Sequence, residues 1–303
     1  MQYDVDFIKP EWKSDYYVSE KTKKVWWIQI QILQDFGKWC DERNLRWFVY
    51  GGALIGAVRH KGFIPWDDDI DVCMPREDYN KMLDLWRTEG LEEPYFLQNT
   101  LTDVDCYQFW TSIRRSDTTG NRISLMSKRC NNGIAIDVMP FDGCESNIYV
   151  YQMRRMPLKI LSTICNTYVN EFNMSLPAKI LRKFLRLTHI DYKSIYKWIE
   201  GQNSKHTWNR HDYVTLTLVS NPDMKSIEER VWFKEDFSYP VYLDFEFIKI
   251  PVPCGYKRIL SMQYHDYMKL PPVEKRKGKH DFEYEPDVPY TIYCESKYGV
   301  CYK

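Results

Sequence analysis

The feature that most constrains the fold is a pair of glycines, Gly51-Gly52, placed directly after a β-rich run at residues 45–50. The run predicts a strand that enters a tight turn, and residues 53–59 predict a short helix after it. Glycines let backbone N–H groups approach an anion closely, and a helix N-terminus adds partial positive charge. A Gly-Gly pair alone often marks only a turn, so the segment that follows it decides the interpretation.

That segment is acidic, and we predict a strand over residues 67–74. In a strand alternate side chains share a face, so Asp67, Asp69 and Asp71 are expected on one side. Three carboxylates on one face repel one another unless a cation lies among them. Mg²⁺ or Mn²⁺ bound by Asp69 and Asp71, with Asp67 nearby and a substrate phosphate, satisfies this. The alternative is a solvated acidic turn, but the apolar residues between the acids favour a half-buried strand.

A further carboxylate is expected from a later strand. Residues 133–139 contain the run Ile-Ala-Ile-Asp-Val and predict a strand carrying Asp137, which Asp142-Gly143 would end with a turn. A glycine turn, an Asp-apolar-Asp strand and a later acid are the general plan of the nucleotidyltransferase fold. We therefore expect an α/β (α+β) protein with a mixed sheet and flanking helices. Asp137 would be a metal ligand or a general base; the alternative is a strand-end Asp that caps a turn.

The remaining sequence predicts a long helix, several more elements and a change of character in the middle. Amphipathic periodicity predicts a helix over residues 19–43, and Pro75 suits the first turn of a helix that ends near residue 91. Other predicted elements are a strand over 107–114 and helices near 158–169 and 180–187. Residues 151–212 hold eleven Lys or Arg against four Asp or Glu. We divide the chain into a catalytic core (1–145), a basic helical elaboration (146–230) and a segment completing the core fold (231–303).

Composition narrows the classes of function. The 303 residues contain 42 Lys or Arg and 42 Asp or Glu, so a net charge of zero offers no electrostatic reason to expect nucleic acid as a partner. The nine cysteines form no Cys-x-x-Cys pair, which is typical of reduced thiols in a cytosolic protein. No apolar run is long enough to span a membrane, and the N-terminus carries no apolar signal segment. We expect a cytoplasmic location.

Residues 51–71 closely resemble the hallmark segment of the LicD family of phosphocholine transferases, which are relatives of fukutin. The resemblance continues along roughly the whole chain and is weakest over residues 151–230. Two positions depart from the family pattern: Ser112 stands where Lys is commoner, and His265 where Gly is commoner. The further matching segments are Ile113-Arg114 with Thr118-Thr119, residues 133–143, residues 251–253 and residues 264–272.

The resemblance implies a transferase that uses a CDP-activated alcohol, typically CDP-choline, with a hydroxyl of a cell-surface glycan or lipid-linked glycan as acceptor. The reaction would release CMP. A transferase of this kind would act in lipopolysaccharide or capsule biosynthesis. Ethanolamine, glycerol and ribitol remain open as the transferred alcohol. Two alternatives also stay open: a nucleotidyltransferase that attaches the nucleotide itself, and a binding protein that keeps the fold without catalysis.

Several residues are candidates for contacts with the donor. Choline would need an aromatic cage for its quaternary ammonium, and Trp66 is the aromatic residue nearest the acids in sequence, although it could equally pack beneath them. The basic stretch has two interpretations: a helical subdomain that shapes the acceptor cleft, or basic helices in peripheral contact with the inner membrane. Each cationic candidate for a phosphate contact could also be a solvated charge. The expected phosphate contacts are Gly51, Gly52, Arg59, His60, Lys61 and Arg114.

Overall fold

A computed structural model describes residues 2–169, 191–216, 231–278 and 281–302, and single positions between the first two ranges. The helix predicted over residues 180–187 lies outside these ranges. The helices are α1 (Glu20–Glu42), α2 (Gly51–Arg59), α3 (Arg76–Glu89), α4 (Ile148–Val169), α5 (Tyr192–Asn203), α6 (Tyr256–Tyr264) and α7 (Tyr290–Tyr298).

The strands are β1 (Glu11–Lys13), β2 (Tyr16–Val18), β3 (Phe48–Tyr50), β4 (Asp71–Pro75), β5 (Tyr95–Gln98), β6 (Thr111–Arg115), β7 (Thr119–Arg122), β8 (Ile134–Cys144), β9 (Tyr213–Leu216), β10 (Val231–Phe233), β11 (Pro240–Phe245), β12 (Ile248–Pro253) and β13 (Phe282–Glu285).

Within the described residues, the core is a seven-stranded mixed sheet built around β8. Its main path runs β10–β9–β8–β4–β3. Strand β6 also pairs with β8, and β5 pairs with β6. The β4–β8 pairing is parallel, whereas β3, β6 and β9 pair with their neighbours antiparallel. This mixed sheet with flanking helices confirms the predicted α+β class. Because β4 pairs directly with β8, the acids of these two strands lie side by side.

Helix α1 packs across the sheet, against β6 and β8. Ser19 caps its N-terminus by accepting a hydrogen bond from the Thr22 backbone N–H. The helix ends before Asn44, which has a positive φ of 52°. Trp26 and Phe36 are fully buried on its inner side. The prediction of an amphipathic helix over residues 19–43 is therefore confirmed.

The predicted strand over residues 67–74 is wrong at its start, because β4 begins only at Asp71. Residues 67–70 form no strand. A turn in which the Asp67 backbone N–H donates to the Ile64 carbonyl precedes them. The alternation that placed Asp67, Asp69 and Asp71 on one face of a strand therefore does not apply across these positions.

The turn predicted at Asp142-Gly143 is also wrong, because β8 continues through both residues to Cys144. The Asp142 carboxylate is fully buried, and the Arg76 guanidinium donates to it over 2.5 Å. A buried carboxylate is tolerated when such a partner compensates its charge. Gly143 fits this strand because a Cβ there would lie 2.7 Å from the Thr207 carbonyl oxygen.

Two other predicted strands are shorter than expected. The strand predicted over residues 45–50 is β3, Phe48–Tyr50. The strand predicted over residues 107–114 is β6, Thr111–Arg115, and residues 105–110 form an irregular segment before it. The short helix predicted at 53–59 begins earlier, at Gly51, so the glycine pair lies inside its first turn.

A second, smaller hydrophobic cluster lies between α4 and α5. Its buried members include Tyr151 and Leu158 of α4, Tyr196 and Ile199 of α5, and Phe109 from the segment before β6. Within the described ranges, no helix is both long enough and apolar enough to cross a membrane. The division of the chain at residues 145 and 230 stays a prediction.

Candidate functional site

The two glycines at the start of α2 lie against two of the predicted acids. Gly51 has a φ of +64°, a conformation that suits glycine because it has no Cβ. A Cβ at Gly51 would lie 2.8 Å from Asp71 Oδ2, and one at Gly52 would collide with the Asp67 carboxylate. Asp67 and Asp71 are therefore held at the N-terminus of α2, where the helix dipole favours negative charge.

Asp67, Asp68 and Asp69 form what we call the acid turn. One carboxylate oxygen from each of them lies within 4.8 Å of the others. Asp67 is buried, with 5% of its surface exposed, and the other two are half-buried. Three carboxylates this close repel one another, and oxygen ligands at such separations suit a hard divalent cation. The structure thus adds Asp68 to the predicted acids Asp67 and Asp69.

Distant side chains hold the backbone of the acid turn. The Trp26 indole N–H donates to the Asp67 carbonyl over 3.1 Å, and the Gln29 amide donates to the Asp68 carbonyl over 2.8 Å. The Tyr284 hydroxyl donates to the same Asp68 carbonyl over 3.2 Å. Because these carbonyls are satisfied without a neighbouring strand, the turn keeps its irregular backbone close to the sheet.

Asp71 and Asp137 lie side by side at the same register of the parallel pair β4–β8, and Ser112 of β6 is the partner of Asp137 on its other edge. The Ser112 hydroxyl donates to Asp137 Oδ1 over 2.5 Å. Burial raises the pKa of Asp137, whereas the hydrogen bond from Ser112 and the nearby charge of Arg114 lower it. Asp71 and Asp137 do not belong to the three-carboxylate group of the acid turn. The metal set Asp69, Asp71 and Asp137 stays a prediction.

A cavity of about 350 Å³ opens beside these acids. Asp68, Asp69 and Asp137 line it, together with Arg114 and Arg122. Carboxylates and guanidinium groups therefore share one cleft, which is the arrangement required to hold an anion and a metal together.

Arg114 is the buried cation of this cavity, with only 6% of its surface exposed. Its guanidinium donates to neutral acceptors: the Gln98 amide oxygen over 2.5 Å and the Gly133 carbonyl over 2.5 Å. These partners fix the side chain but carry no negative charge. The guanidinium can therefore contribute its positive charge to an anion in the cavity.

The structure places Arg59, His60 and Lys61 in a different environment. Arg59 donates to the Tyr267 carbonyl over 2.8 Å and to His60 Nε2 over 2.9 Å, which ties α2 to the C-terminal segment. Burial, followed by the neighbouring Arg59 charge, lowers the pKa of His60 to about 4, so its imidazole is neutral near pH 7. Among the described residues, those lining the cavity include none of the three.

Trp66, the aromatic residue nearest the acids in sequence, is buried and has only 8% of its surface exposed. Its ring packs edge-on against His60 and Tyr16, and the Arg276 guanidinium lies 5.8 Å from the ring centroid. These contacts agree with the packing alternative rather than with a cage open to a ligand.

Sequence reasoning missed Asp68, Gln29 and Tyr284. Strict alternation along the predicted strand gives no reason to expect Asp68 on the same side as Asp67 and Asp69. Gln29 is a polar residue on the buried side of α1, and a buried polar group needs a hydrogen-bonding partner, which was an available signal. Tyr284 lies more than 200 residues from the acid it contacts, and no local pattern could have linked them.

Comparison with known proteins gives a consistent family assignment. The sequence model described as LicD/FKTN/FKRP, nucleotidyltransferase domain, matches residues 44–179. A protein of Haemophilus influenzae named lipopolysaccharide cholinephosphotransferase LicD is 30% identical over 257 residues, which cover 84% of this chain and 93% of that protein. Two uncharacterized proteins, from Rickettsia prowazekii and Rickettsia typhi, are 40% identical over 48 residues, 16% of this chain and 18% and 16% of theirs.

Proposed function

The chain belongs to the LicD family and is a phosphotransferase of that type, and we propose that it transfers phosphocholine from CDP-choline to a glycan hydroxyl. Its Haemophilus relative is named for cholinephosphate transfer to lipopolysaccharide, which motivates choline and a lipid-linked glycan acceptor. The observation that carries the proposal is the cavity in which Asp69 and Asp137 lie beside the buried cation Arg114.

Phosphoryl transfer depends mainly on positioning and on neutralising charge. Arg114 would contact the donor phosphates, because its hydrogen-bonding partners hold it in place without cancelling its charge. Asp137 would accept the proton of the acceptor hydroxyl as its oxygen attacks the phosphorus of phosphocholine. The bond from that phosphorus to the CMP oxygen breaks, and CMP leaves. A carboxylate whose pKa is raised by burial is better suited to this task than a fully solvated one.

We also propose that Mg²⁺ or Mn²⁺ binds beside the acid turn. The close approach of the Asp67, Asp68 and Asp69 carboxylates fits an oxygen-ligating cation, and Asp71 and Asp137 would complete the acidic surroundings. When bound, such an ion neutralises the negative charge of the donor phosphates and orients them. Gln29 supports this arrangement, since it holds the backbone carbonyl of Asp68 and lines the same cavity.

A lipid-linked acceptor suggests contact with a membrane surface, and one face of α4 has the matching chemistry. Tyr149, Met153, Met156 and Ile160 recur at helical spacing, and each exposes more than half of its surface. The surrounding stretch, residues 151–212, carries an excess of seven positive charges. Apolar side chains flanked by positive charge bind anionic lipid surfaces, so we propose peripheral membrane contact through this face.

The test combines the purified protein with CDP-choline, a cell-surface glycan and Mg²⁺, and measures both CMP release and the mass of the glycan product. We expect CMP in solution, a glycan heavier by phosphocholine, and loss of both when EDTA removes the metal. A glycan that gains the nucleotide itself would instead identify a nucleotidyltransferase. Absence of CMP release from every CDP-alcohol would reject the proposal.

A further inference from the structure

The segment between β5 and β6 contributes six consecutive residues to the wall of the cavity. Residues 105–110, Asp-Cys-Tyr-Gln-Phe-Trp, all line it, and three of them are aromatic. We call this the aromatic segment. It reaches the same cavity as the acid turn and Arg114, so a molecule whose phosphates bind there also meets these rings.

The helical part of the chain holds the aromatic segment in place. Phe109 is buried in the cluster between α4 and α5, with its ring centroid 5.0 Å from that of Tyr196. The Tyr107 ring packs edge-on against Phe109 at 5.5 Å, and its hydroxyl donates to the Ser162 carbonyl of α4 over 3.2 Å. The Tyr107 side chain is thus fixed by Phe109 at its ring and by α4 at its hydroxyl.

Trp110 joins the aromatic segment to the acids. Its side chain hydrogen bonds to Asp137, and the indole N–H can act only as the donor in that bond. The indole therefore lies at the boundary between the carboxylates and the rest of the cavity. A group attached to a phosphate held near Asp137 would come next to this ring.

Three of the four amide side chains that line the cavity are already engaged with the protein, whereas the Oε1 of the fourth, Gln29, makes no hydrogen bond within the described residues. Gln98 donates to Asp103 and accepts from Arg114, Gln108 donates to Ser112, and the Asn121 amide donates to Asn132. A polyol such as ribitol or glycerol would need polar partners for its hydroxyls, and these three amides offer few. Aromatic rings bind a quaternary ammonium without any hydrogen bond, through the negative faces of their π systems.

We propose that the aromatic segment binds the trimethylammonium end of the donor alcohol, with Tyr107 and Trp110 as the rings that contact it. Helices α4 and α5 then act as positioning elements for alcohol specificity, because they fix Phe109 and Tyr107. This inference rests on the proposed phosphotransfer and extends it: it assigns residues to the alcohol subsite and selects a quaternary ammonium over polyols.

The test uses two donors, CDP-choline and its neutral isostere in which a tert-butyl group replaces the trimethylammonium group. The two have nearly the same shape and differ in charge. The full-length protein should prefer CDP-choline in kcat/KM by about threefold to thirtyfold, the range that a cation–π contact supplies. Equal kcat/KM for the two donors would overturn the inference, while turnover of both would leave the proposed phosphotransfer standing.

Paired variants assign the preference to the two rings. Tyr107→Leu and Trp110→Leu keep an apolar side chain without a ring, and we expect each to lower the preference for the charged donor at least about threefold, mainly through KM. Tyr107→Phe and Trp110→Phe keep a ring, remove the bonds to Ser162 and Asp137, and should retain most of the preference. Leucine variants that turn over both donors with the unchanged preference would refute the assignment. If the leucine variants do not fold, the phenylalanine variants decide: a lost preference in both refutes it.

Discussion

Asp137 is a carboxylate on the central strand of a sheet, where burial opposes its charge. Four neighbours favour the charged form: Ser112 and Trp110 through hydrogen bonds, and Arg114 and Arg122 through their positive charges. In the family pattern a Lys is commoner at the position of Ser112, and here a neutral hydroxyl donates to the acid instead. The balance leaves the pKa of Asp137 above its ordinary value, which suits a group that must accept a proton.

Asp137→Asn keeps the shape of this side chain and removes its ability to accept a proton. We predict that kcat falls about hundredfold or more, the usual contribution of a general base, while KM for the donor changes much less. The matched control is Asp84→Asn on α3, where the carboxylate is 76% exposed and pairs with Arg87 at 3.8 Å. Steady-state kinetics with CDP-choline measure both. A near-normal kcat in Asp137→Asn would remove Asp137 from the proposed mechanism.

The residue types of the site could be predicted from the sequence more fully than their arrangement. Asp69, Asp137 and Arg114 lie in recognisable patterns, and all three line the cavity. Arg59 and His60 belong to the same continuous segment as Asp69, yet Arg59 donates to His60 and to the Tyr267 carbonyl of the C-terminal segment. Nearness in sequence could not separate these two groups, because Arg59 and His60 lie at the C-terminal end of α2, whereas the glycines that contact Asp67 and Asp71 lie in its first turn.

At the scale of elements, α2 and the acid turn depend on each other through the glycine pair. The Asp67 carboxylate occupies the space that a side chain at Gly52 would need. The limits of β4 could not be predicted for a related reason. The carbonyls of Asp67 and Asp68 are bound by Trp26 and Gln29 of α1, and such long-range bonds leave no periodic signal in the strand itself.

Gly52→Ala should therefore disturb both the fold and the site. We predict a loss of about 1–3 kcal/mol in the free energy of unfolding, as for other overpacked positions, together with reduced transfer activity. Gly201→Ala in α5 is the control: a Cβ there meets nothing within 4 Å, so replacing a helical glycine should stabilise by up to about 1 kcal/mol. Denaturant titration of the two variants measures the difference. A Gly52→Ala protein as stable and active as the wild type would contradict this packing.

At the scale of the whole molecule, one interpretation of the basic stretch was a helical subdomain that shapes the acceptor cleft, but the sequence could not indicate which residues it would contact. Phe109 and Tyr107 come from the segment before β6, and they pack against α4 and α5, which follow in the chain. Charge and periodicity describe each segment separately and cannot indicate this packing. These contacts agree with the interpretation of the basic stretch as a helical subdomain that shapes a cleft.

The exposed face of α4 gives a prediction at this scale. Vesicles with anionic lipids should co-sediment the protein, and vesicles of neutral phosphatidylcholine should bind it much less. Met153→Glu combined with Ile160→Glu should lower binding to the anionic vesicles about tenfold or more, because both side chains would lose their apolar contact with the lipid. Tyr242→Glu, at a residue of β11 with 54% exposure, is the control for added negative charge. Equal binding of the double variant and the control would contradict membrane contact through α4.

The most direct measurement locates the cation itself. Crystals of the full-length protein grown with Mn²⁺ and CDP-choline should give an anomalous scattering peak in contact with the carboxylates of the acid turn, with a donor phosphate oxygen also bound to the ion. The matched variant Asp69→Asn should weaken that peak without displacing α2. Donor phosphates bound in the cavity with no metal at Asp67–Asp69, or a metal bound away from these acids, would contradict the proposed site.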